Sequence, residues 1–235
     1  MSKAGRFIPE RTIVPVLGLN PSQRQATFLG TGFFASDPPL LVTCSHVVRD
    51  FIGPIGTASR NHPGTSWTAT LVEDFREADL ACFSVDGFPL PQVLNLAEED
   101  DIVLDRIVRC FEYGPTTTSA GVVGFSPASR MGNVTRIRNL RDPFGLAGDY
   151  MLEMSFPAIK GASGAPIFDS EPPYGVWGVV SQNWIRELLP VQIETIHDEG
   201  GGVIEETKFY LPQALAVNVR HVRAMIERAH RRMRG

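Results

Sequence analysis

Short segments rich in β-branched and aromatic residues recur along this chain between Gly and Pro residues, as is typical of strands separated by turns. The first series lies at Thr12–Leu17, Ala26–Phe34, Leu40–Thr43, Trp67–Val72 and Leu80–Val85. The second lies at Arg106–Phe111, Gly121–Phe125, Val134–Ile137, Tyr150–Ser155, Ala165–Phe168, Val176–Ser181 and Thr207–Leu211. This pattern predicts an all-β barrel or sandwich, and 235 residues suffice for one large β domain or two small lobes.

The two series are separated by the segment FPLPQVLNLAEEDD, whose prolines and acidic residues are typical of a connection. The sequence therefore predicts a first lobe at about residues 10–87, a linker at about 88–103 and a second lobe at about 104–211, all within a single domain over 1–235. The polar stretch 184–206 is interpreted mostly as a long surface loop that borders a cleft.

A helix is predicted at about residues 218–233, because Asn218 can cap it and an apolar stripe follows at helical spacing. The stripe consists of Val219, Val222, Ile226 and Ala229. We expect it to pack on the body of the protein. From Asn218 onward the chain carries six arginines and a single acid, Glu227. Such a tail can contact nucleic acid, but a solvated helix face is the favoured interpretation and nucleic-acid binding is not expected.

Composition excludes several broad classes. With 43% hydrophobic and 20% charged residues, the chain is unlike a disordered or fibrous protein. No apolar run has the length of a secretory signal or a membrane span, so we expect a soluble protein that is not exported. Its cysteines, Cys44, Cys82 and Cys110, are an odd set in apolar runs rather than a disulfide framework or a zinc site. They predict reduced core thiols, a cytoplasmic location, and neither metal nor cofactor.

The segment Gly161–Pro166 is the most informative motif. Glycines on both sides of Ser163 allow a tight turn that exposes the hydroxyl and directs backbone N–H groups to one point. Donors arranged in this way form an oxyanion hole, which stabilises the negative charge of a tetrahedral intermediate. The alternative is an ordinary turn of glycine and serine.

A nucleophilic serine also needs a base, and the base needs a carboxylate that fixes its tautomer. His46 follows the predicted strand Leu40–Thr43, and Asp79 directly precedes the predicted strand Leu80–Val85. Each alone is compatible with a loop histidine or a turn aspartate. Both lie at strand ends and precede Ser163, so together they predict a His-Asp-Ser catalytic triad.

Segments around these residues resemble the trypsin/chymotrypsin superfamily, especially its bacterial trypsin-like and HtrA-type members. Phe28–Phe33 resembles the G-T/S-G-F strand of that family, and Val42–Val48 resembles its V-T-x-x-H-V-V segment. Asp79–Ala81 resembles D-L/I-A, and Gly161–Pro166 resembles G-N/D-S-G-G-P. Gly178–Ser181 resembles the edge strand that pairs with substrate.

The resemblance implies two antiparallel six-stranded β-barrels with the triad between them, followed here by a C-terminal α-helix. It implies that Ser163 is the nucleophile, His46 the general base and then acid, and Asp79 the orienting carboxylate. It assigns the N–H groups of Gly161 and Ser163 to the oxyanion hole. The implied activity is that of a serine endopeptidase, which hydrolyses protein or peptide bonds through an acyl-enzyme intermediate.

Substrate-binding residues also follow from the resemblance. Pro157 falls near the pocket floor, and Ser181, Gln182 and Asn183 fall on the edge strand. The segment Phe156–Ile159 contains no acid, so a buried cationic side chain there would lack a partner. Asn183 stands where many family members have glycine and would narrow the entrance. We therefore expect a small or modest apolar residue before the scissile bond. The alternative is that the stretch 184–206 brings Glu187, Glu194 or Asp198 into the pocket, which would reverse the charge argument.

Two positions depart from the family pattern. Ala165 replaces a glycine, which is a small change. Ala162 stands where secreted trypsins have an aspartate that pairs with a newly cut amino terminus. Alanine cannot form that ion pair, so we expect no activation of that kind.

Other interpretations are weaker but distinct. An α/β-hydrolase would have a G-x-S-x-G elbow and the order Ser, acid, His, whereas position 165 is alanine and the order here differs. A protease-fold module that has lost catalysis, and binds peptide or acts as a scaffold in a larger complex, remains the alternative function. A regulatory protein partner also stays open, besides the protein or peptide substrate.

Overall fold

The computed structural model describes residues 7–20, 22, 25–89, 93–98, 103–115, 125–138, 151–188, 193–198, 201–206 and 209–235. These residues form two closed six-stranded antiparallel β-barrels, a separate two-stranded sheet and a C-terminal helix. The predicted fold class is therefore confirmed. Within these ranges no helix has the length and apolarity that a membrane span requires.

The first barrel is built from the amino-terminal half of the chain. Its strands are β1 (Ile13–Asn20), β2 (Gln25–Ala35), β3 (Leu40–Cys44), β4 (Ile55–Ala58), β5 (Ser66–Phe75) and β6 (Leu80–Val85). They pair in the order β1-β2-β3-β6-β5-β4, and β4 closes the barrel on β1. The short helix α1 (Ser45–Val48) follows β3 directly, so the residues of α1 lie at the rim of the barrel.

The second barrel also has six strands. Its strands are β7 (Ile107–Pro115), β8 (Phe125–Arg138), β9 (Met151–Met154), β10 (Pro166–Asp169), β11 (Val176–Leu188) and β14 (Phe209–Asn218). They pair in the order β10-β11-β14-β9-β8-β7, and β7 closes the barrel on β10. Strands β12 (Ile193–Asp198) and β13 (Gly201–Glu206) form the separate sheet.

The prediction of a surface loop at 184–206 is wrong. Strand β11 continues to Leu188 in pairing with β14, and β12 pairs with β13 as an antiparallel hairpin. The polar composition of this stretch masks the strands, because a two-stranded ribbon outside a barrel needs no continuous apolar face. Of the strand predicted at Gly121–Phe125, only Phe125 lies among the described residues.

One hydrophobic cluster is shared by both barrels and the terminal helix. Its members include Ile13, Phe33 and Val42 from the first barrel, Phe111, Phe168 and Val179 from the second, and Val222 and Ile226 from the helix. All are buried. Because apolar surface on each barrel is removed from water by the other, the two barrels pack as one body.

Helix α2 (Val219–Arg234) joins the end of the second barrel to the first. The Oδ1 atom of Asn218 accepts a hydrogen bond from the Arg220 N–H at 2.9 Å, which is the expected N-terminal cap. The predicted stripe Val219, Val222, Ile226 and Ala229 is buried, and the helix packs on β5, β6 and β11. The predicted helix and its buried face are therefore confirmed.

The connection between the barrels is held to both of them. The Leu94 N–H donates to the Phe34 carbonyl at 2.9 Å, and the Ala97 N–H donates to the Val176 carbonyl at 2.8 Å. Residues 93–98 thus lie against β2 and β11. The exact linker boundaries, and the assignment of 1–235 to one domain, stay predictions.

The cysteines are free and buried. Burial raises the pKa of the Cys82 thiol to about 12, and raises the pKa values of Cys44 and Cys110 well above their usual range. Because the thiolate is the reactive form, these thiols should be inert in the folded protein.

We predict that a thiol-alkylating reagent at pH 8 leaves Cys44, Cys82 and Cys110 unmodified in the native protein and modifies all of them in guanidinium. Intact-mass measurement counts the adducts. Prior treatment with reductant is the control and should not change the count. A native mass lower by two hydrogens, restored by reductant, would overturn this prediction.

Candidate active site

His46 and Asp79 meet at the rim of the first barrel because β3 and β6 are neighbours. The register pairs Cys44 with Leu80, so the residues that follow β3 and precede β6 lie side by side. The His46 backbone N–H donates to Asp79 Oδ1 at 3.0 Å, and His46 Nδ1 lies 2.8 Å from Asp79 Oδ2. The Asp79 backbone has a positive φ of 54°, a conformation that aspartate adopts more readily than most residues. The structure thus brings these two predicted residues together.

The Asp79 carboxylate is also bound by the second barrel. The Ser181 hydroxyl donates to Asp79 Oδ2 at 2.6 Å. Burial raises the pKa of Asp79, but the hydrogen bonds from His46 and Ser181 and the charge of His46 outweigh it, so the net pKa lies below the usual value. The carboxylate is therefore held in its ionised form beside the imidazole.

Ser163 lies in a tight turn between two glycines with positive φ, Gly161 at 99° and Gly164 at 87°. The N–H groups of Ala162, Gly164 and Ala165 donate to backbone carbonyls. Across the part of the chain that the structure describes, the N–H groups of Gly161 and Ser163 have no backbone acceptor. Two unpaired donors in one turn can receive an anionic oxygen.

Thr31 of the first barrel fixes this turn. Its N–H donates to the Ser163 carbonyl at 2.9 Å, and its hydroxyl donates to the Gly161 carbonyl at 2.8 Å. The same hydroxyl accepts the Tyr113 N–H at 2.9 Å. The G-T-G-F strand therefore positions the serine turn. The sequence alone did not reveal this role, because Thr31 and Gly161 are 130 positions apart.

Ser181 connects the serine to the aspartate. The register of β11 with β14 shifts between Val180 and Gln182, so Ser181 lies in a β-bulge. Its hydroxyl reaches Asp79, and its carbonyl accepts a hydrogen bond from Ser163 Oγ at 3.2 Å. Within the described residues, no hydrogen bond joins Ser163 to His46.

The predicted pocket residues lie on two segments beside the serine turn. Pro157 is half-buried, and Gln182 and Asn183 are exposed on β11. The Asn183 carboxamide is hydrogen-bonded to Ala158, with Oδ1 accepting the Ala158 N–H and Nδ2 donating to the Ala158 carbonyl, each at 2.7 Å. Asn183 therefore spans the space between the two segments instead of only lining it.

Ligand atoms of Cys44, His46 and Asp79 lie within 4.8 Å of one another, a spacing that a metal ion could use. Thiol ligands bind as thiolates, however. Burial and the charge of Asp79 raise the pKa of Cys44, and its Sγ donates to the Val180 carbonyl at 3.2 Å. The group is better suited to a buried, protonated thiol than to a metal ligand.

The structure has two closed six-stranded barrels, and a His-Asp pair and a glycine-flanked serine lie where the barrels meet. These features define the double-barrel class of protein to which the chymotrypsin-like peptidases belong. The chain belongs to the family of the trypsin-like peptidase domain, whose model matches residues 30–172. The predicted family is therefore confirmed. No curated protein matches the sequence.

Solved structures of HtrA-type and related proteases share the fold. The Rv3671c protease from M. tuberculosis in its active form gives a TM-score of 0.63 at 20% identity, covering 94% of this chain and 81% of that one. The HtrA-type protease AlgW with decapeptide gives a TM-score of 0.63 at 18% sequence identity, and the match covers 96% of this chain and 65% of that one. AlgW with tripeptide gives a TM-score of 0.60 at 19% identity, and the match covers 93% of this chain and 58% of that one. The chain thus spans less than two thirds of the AlgW chains, and likeness at this identity concerns the fold alone.

We predict that Gly164→Ala destabilises the protein by at least about 2 kcal/mol more than Gly64→Ala. Both glycines have positive φ, so backbone strain is common to the two variants. A methyl group at 164 would collide with the Thr31 carbonyl and the Thr43 hydroxyl, whereas a methyl group at 64 would meet nothing within 4 Å. Denaturant unfolding gives the two free energies, and equal losses would contradict the packing described for the turn.

We predict that Ser181→Ala lowers the free energy of unfolding at pH 7 by about 1–2 kcal/mol. The folded pKa of Asp79 is depressed, so its contribution to stability is present above the unfolded pKa and is lost as pH falls through the folded pKa. Removing the Ser181 bond moves the folded pKa upward and shrinks that contribution.

The difference in free energy of unfolding between wild type and Ser181→Ala should therefore become smaller as pH falls from above the unfolded pKa of Asp79 to below its folded pKa. Denaturant unfolding at a series of pH values measures it. Ser66→Ala, at an exposed serine of β5, is the control and should give no pH-dependent difference. If Ser181→Ala lowers the free energy of unfolding by the same amount at every pH, the Ser181 hydroxyl does not donate its hydrogen bond to ionised Asp79, and the assignment is contradicted.

Proposed function

We propose that this protein is a serine endopeptidase in which His46, Asp79 and Ser163 form the catalytic triad. The observation that carries the proposal is the convergence of a His46–Asp79 pair at 2.8 Å with a glycine-flanked Ser163 turn. Membership of the trypsin-like peptidase family supports it. The AlgW structures were solved with peptides, which supports protein or peptide as the substrate class.

In the proposed reaction, Ser163 Oγ attacks the carbonyl carbon of the scissile peptide bond and passes its proton to His46 Nε2. The carbonyl oxygen becomes an oxyanion and accepts hydrogen bonds from the N–H groups of Gly161 and Ser163. The intermediate collapses, the C–N bond breaks, and His46 gives the proton to the leaving amine. The product is an ester of Ser163.

Water completes the cycle. His46 takes a proton from water, the hydroxide equivalent attacks the ester carbonyl, and the C–O bond to Ser163 breaks with return of the proton to the serine. Asp79 stays ionised throughout, since its pKa lies below the usual value. It holds Nδ1 protonated, so that Nε2 is the free acceptor, and it stabilises the imidazolium that forms.

Before attack, the Ser163 hydroxyl must leave the Ser181 carbonyl and turn to His46. In the structure the hydroxyl donates to that carbonyl at 3.2 Å. The family resemblance gives β11 the role of an edge strand for substrate, and a substrate N–H could take over the Ser181 carbonyl. Binding of peptide would then release the nucleophile toward its base.

The catalytically silent alternative is favoured by one observation, the lack of a hydrogen bond between Ser163 and His46 in the described part of the chain. A protein fixed in that arrangement would bind peptide along β11 without cleaving it. Such contacts are often long in a free enzyme and tighten in the complex, so we favour catalysis.

The compartment and partners are part of the same proposal. Buried free thiols support a reducing compartment such as the cytoplasm. The chain would act as one domain over residues 1–235, without cofactor, on protein or peptide substrates. A regulatory partner would act by promoting the contact between Ser163 and His46.

We predict that Ser163→Ala, His46→Ala and Asp79→Asn each lower kcat/KM for peptide hydrolysis by at least about a thousandfold, because triad members act as a unit. Cleavage of a quenched fluorescent peptide library gives the rates. Thermal unfolding of each variant is the control and should be cooperative. Full activity in folded Ser163→Ala would exclude the serine mechanism, and an inert wild type would favour the silent module.

A further inference from the structure

A second carboxylate of the first barrel, Asp74, is bonded to both chain segments that carry the His46–Asp79 pair. Its Oδ1 atom accepts the Ser45 hydroxyl at 2.6 Å, and its Oδ2 atom accepts the Arg76 Nε–H at 2.6 Å. Ser45 is the first residue of α1 and directly precedes His46. Arg76 begins the short helical turn that leads to Asp79. One side chain therefore joins the segment of the imidazole to the segment of its orienting carboxylate.

The same two segments are joined through their backbones around a strained residue. The Ser45 N–H donates to the Asp79 carbonyl, and the Asp79 N–H donates to the Arg76 carbonyl, each at 3.0 Å. Asp79 itself has a φ of 54°, in the left-handed region that a residue with a side chain adopts only at an energetic cost. Such a conformation persists where neighbouring contacts hold it, and the two bonds of Asp74 are contacts of this kind.

The two bonds of Asp74 differ in their exposure to water. The Arg76 side chain is 73% exposed, so solvent competes for its ion pair with Asp74. Ser45 is only 1% exposed, and its hydroxyl would lose this acceptor inside the protein if Asp74 were removed. Loss of a partner costs most where water cannot replace it. The bond from Ser45 is therefore the one that holds α1 in place.

Asp74 lies on a part of β5 that is fixed by the C-terminal helix. The residues on both sides of it, Glu73 and Phe75, are buried. Glu73 Oε2 lies 2.9 Å from Arg232 Nε, and the Arg228 guanidinium lies 4.2 Å from the centre of the Phe75 ring. Both arginines belong to α2. The carboxylate of Asp74 is therefore attached to a packed strand, which makes it a rigid support for the residues that it binds.

We propose that Asp74 is a positioning residue of the proposed triad, which acts through Ser45 to keep His46 Nδ1 within hydrogen-bond distance of Asp79. The inference rests on the proposed peptidase function. Asp74 transfers no proton and acts only through the position of the imidazole. If α1 shifts, Nε2 of His46 loses its alignment with Ser163, so turnover should fall while the binding of substrate is retained.

The kinetic test compares Asp74→Ala and Ser45→Ala with Glu77→Ala. We expect kcat for hydrolysis of a peptide substrate to fall at least about tenfold in the first two variants, with KM changed less than about threefold. Glu77 is an exposed acid of the same helical turn, so Glu77→Ala removes a negative charge from the same segment and should leave kcat and KM unchanged. Thermal unfolding shows that each variant is folded at the assay temperature.

The outcomes separate this inference from the proposed function. If wild type cleaves no peptide, the peptidase proposal fails, and the exchange measurement below still decides whether Asp74 positions His46. If wild type is active and kcat changes less than about threefold in either Asp74→Ala or Ser45→Ala, the positioning role alone is overturned. An equal loss of kcat in Glu77→Ala would assign the effect to lost charge and would also overturn it.

A second measurement needs no activity. The proton on His46 Nδ1 is held against Asp79 Oδ2 at 2.8 Å, so NMR of protein with isotope-labelled histidine should show slow exchange of this proton with water. We expect the exchange to be at least about tenfold faster in Asp74→Ala and Ser45→Ala, and unchanged in Glu77→Ala. The same exchange rate in wild type and in the first two variants would show that Asp74 does not hold the pair, and would overturn the proposal.

Discussion

The carboxylate of Asp79 is the group on which the arrangement of the site depends. It accepts the backbone N–H of His46 and contacts Nδ1 of the same residue, both from the first barrel, and it accepts the hydroxyl of Ser181 from the second. A partly buried carboxylate must be compensated by such bonds, because desolvation alone would favour its neutral form. The hydrogen bonds of Asp79 therefore fix the position of the two barrels relative to each other at the site of the proposed chemistry.

Thr31 of the first barrel provides a second connection between the barrels, through hydrogen bonds to the serine turn of the second barrel. Its backbone and side chain hold the serine turn of the second barrel against the first, and the glycine at 164 permits that approach. Several polar groups near Ser163 are already hydrogen-bonded within the described part of the protein. Ser163 donates a hydrogen bond to the Ser181 carbonyl, and Asn183 accepts one from the Ala158 N–H. In the proposed function, binding of peptide would exchange the hydrogen bond between Ser163 and the Ser181 carbonyl for one from the substrate.

Local signals in the sequence predict an all-β fold and place His46 and Asp79 at strand ends, whereas the two six-stranded barrels and the roles of these residues follow from the family resemblance. Strand rhythm, a helical stripe from Val219 onward and polar residues at strand ends are all visible within short windows of sequence. The hairpin β12–β13 and the four-residue strand β4 carry no such signal, since one is polar and the other short. The roles of Thr31 and Ser181, and the bridge from Asn183 to Ala158, depend on contacts between distant residues and become visible only in the folded chain.

Detection of the acyl-enzyme tests the central claim most directly. Mixing the protein with an activated ester of a short peptide, quenching with acid within the first turnover and mapping the adduct by mass spectrometry reports which atom attacks. We predict an acyl group on Ser163 that forms rapidly, decays by hydrolysis and forms at least about a thousandfold more slowly in His46→Ala. Acylation of another residue, or equal rates in wild type and His46→Ala, would contradict it.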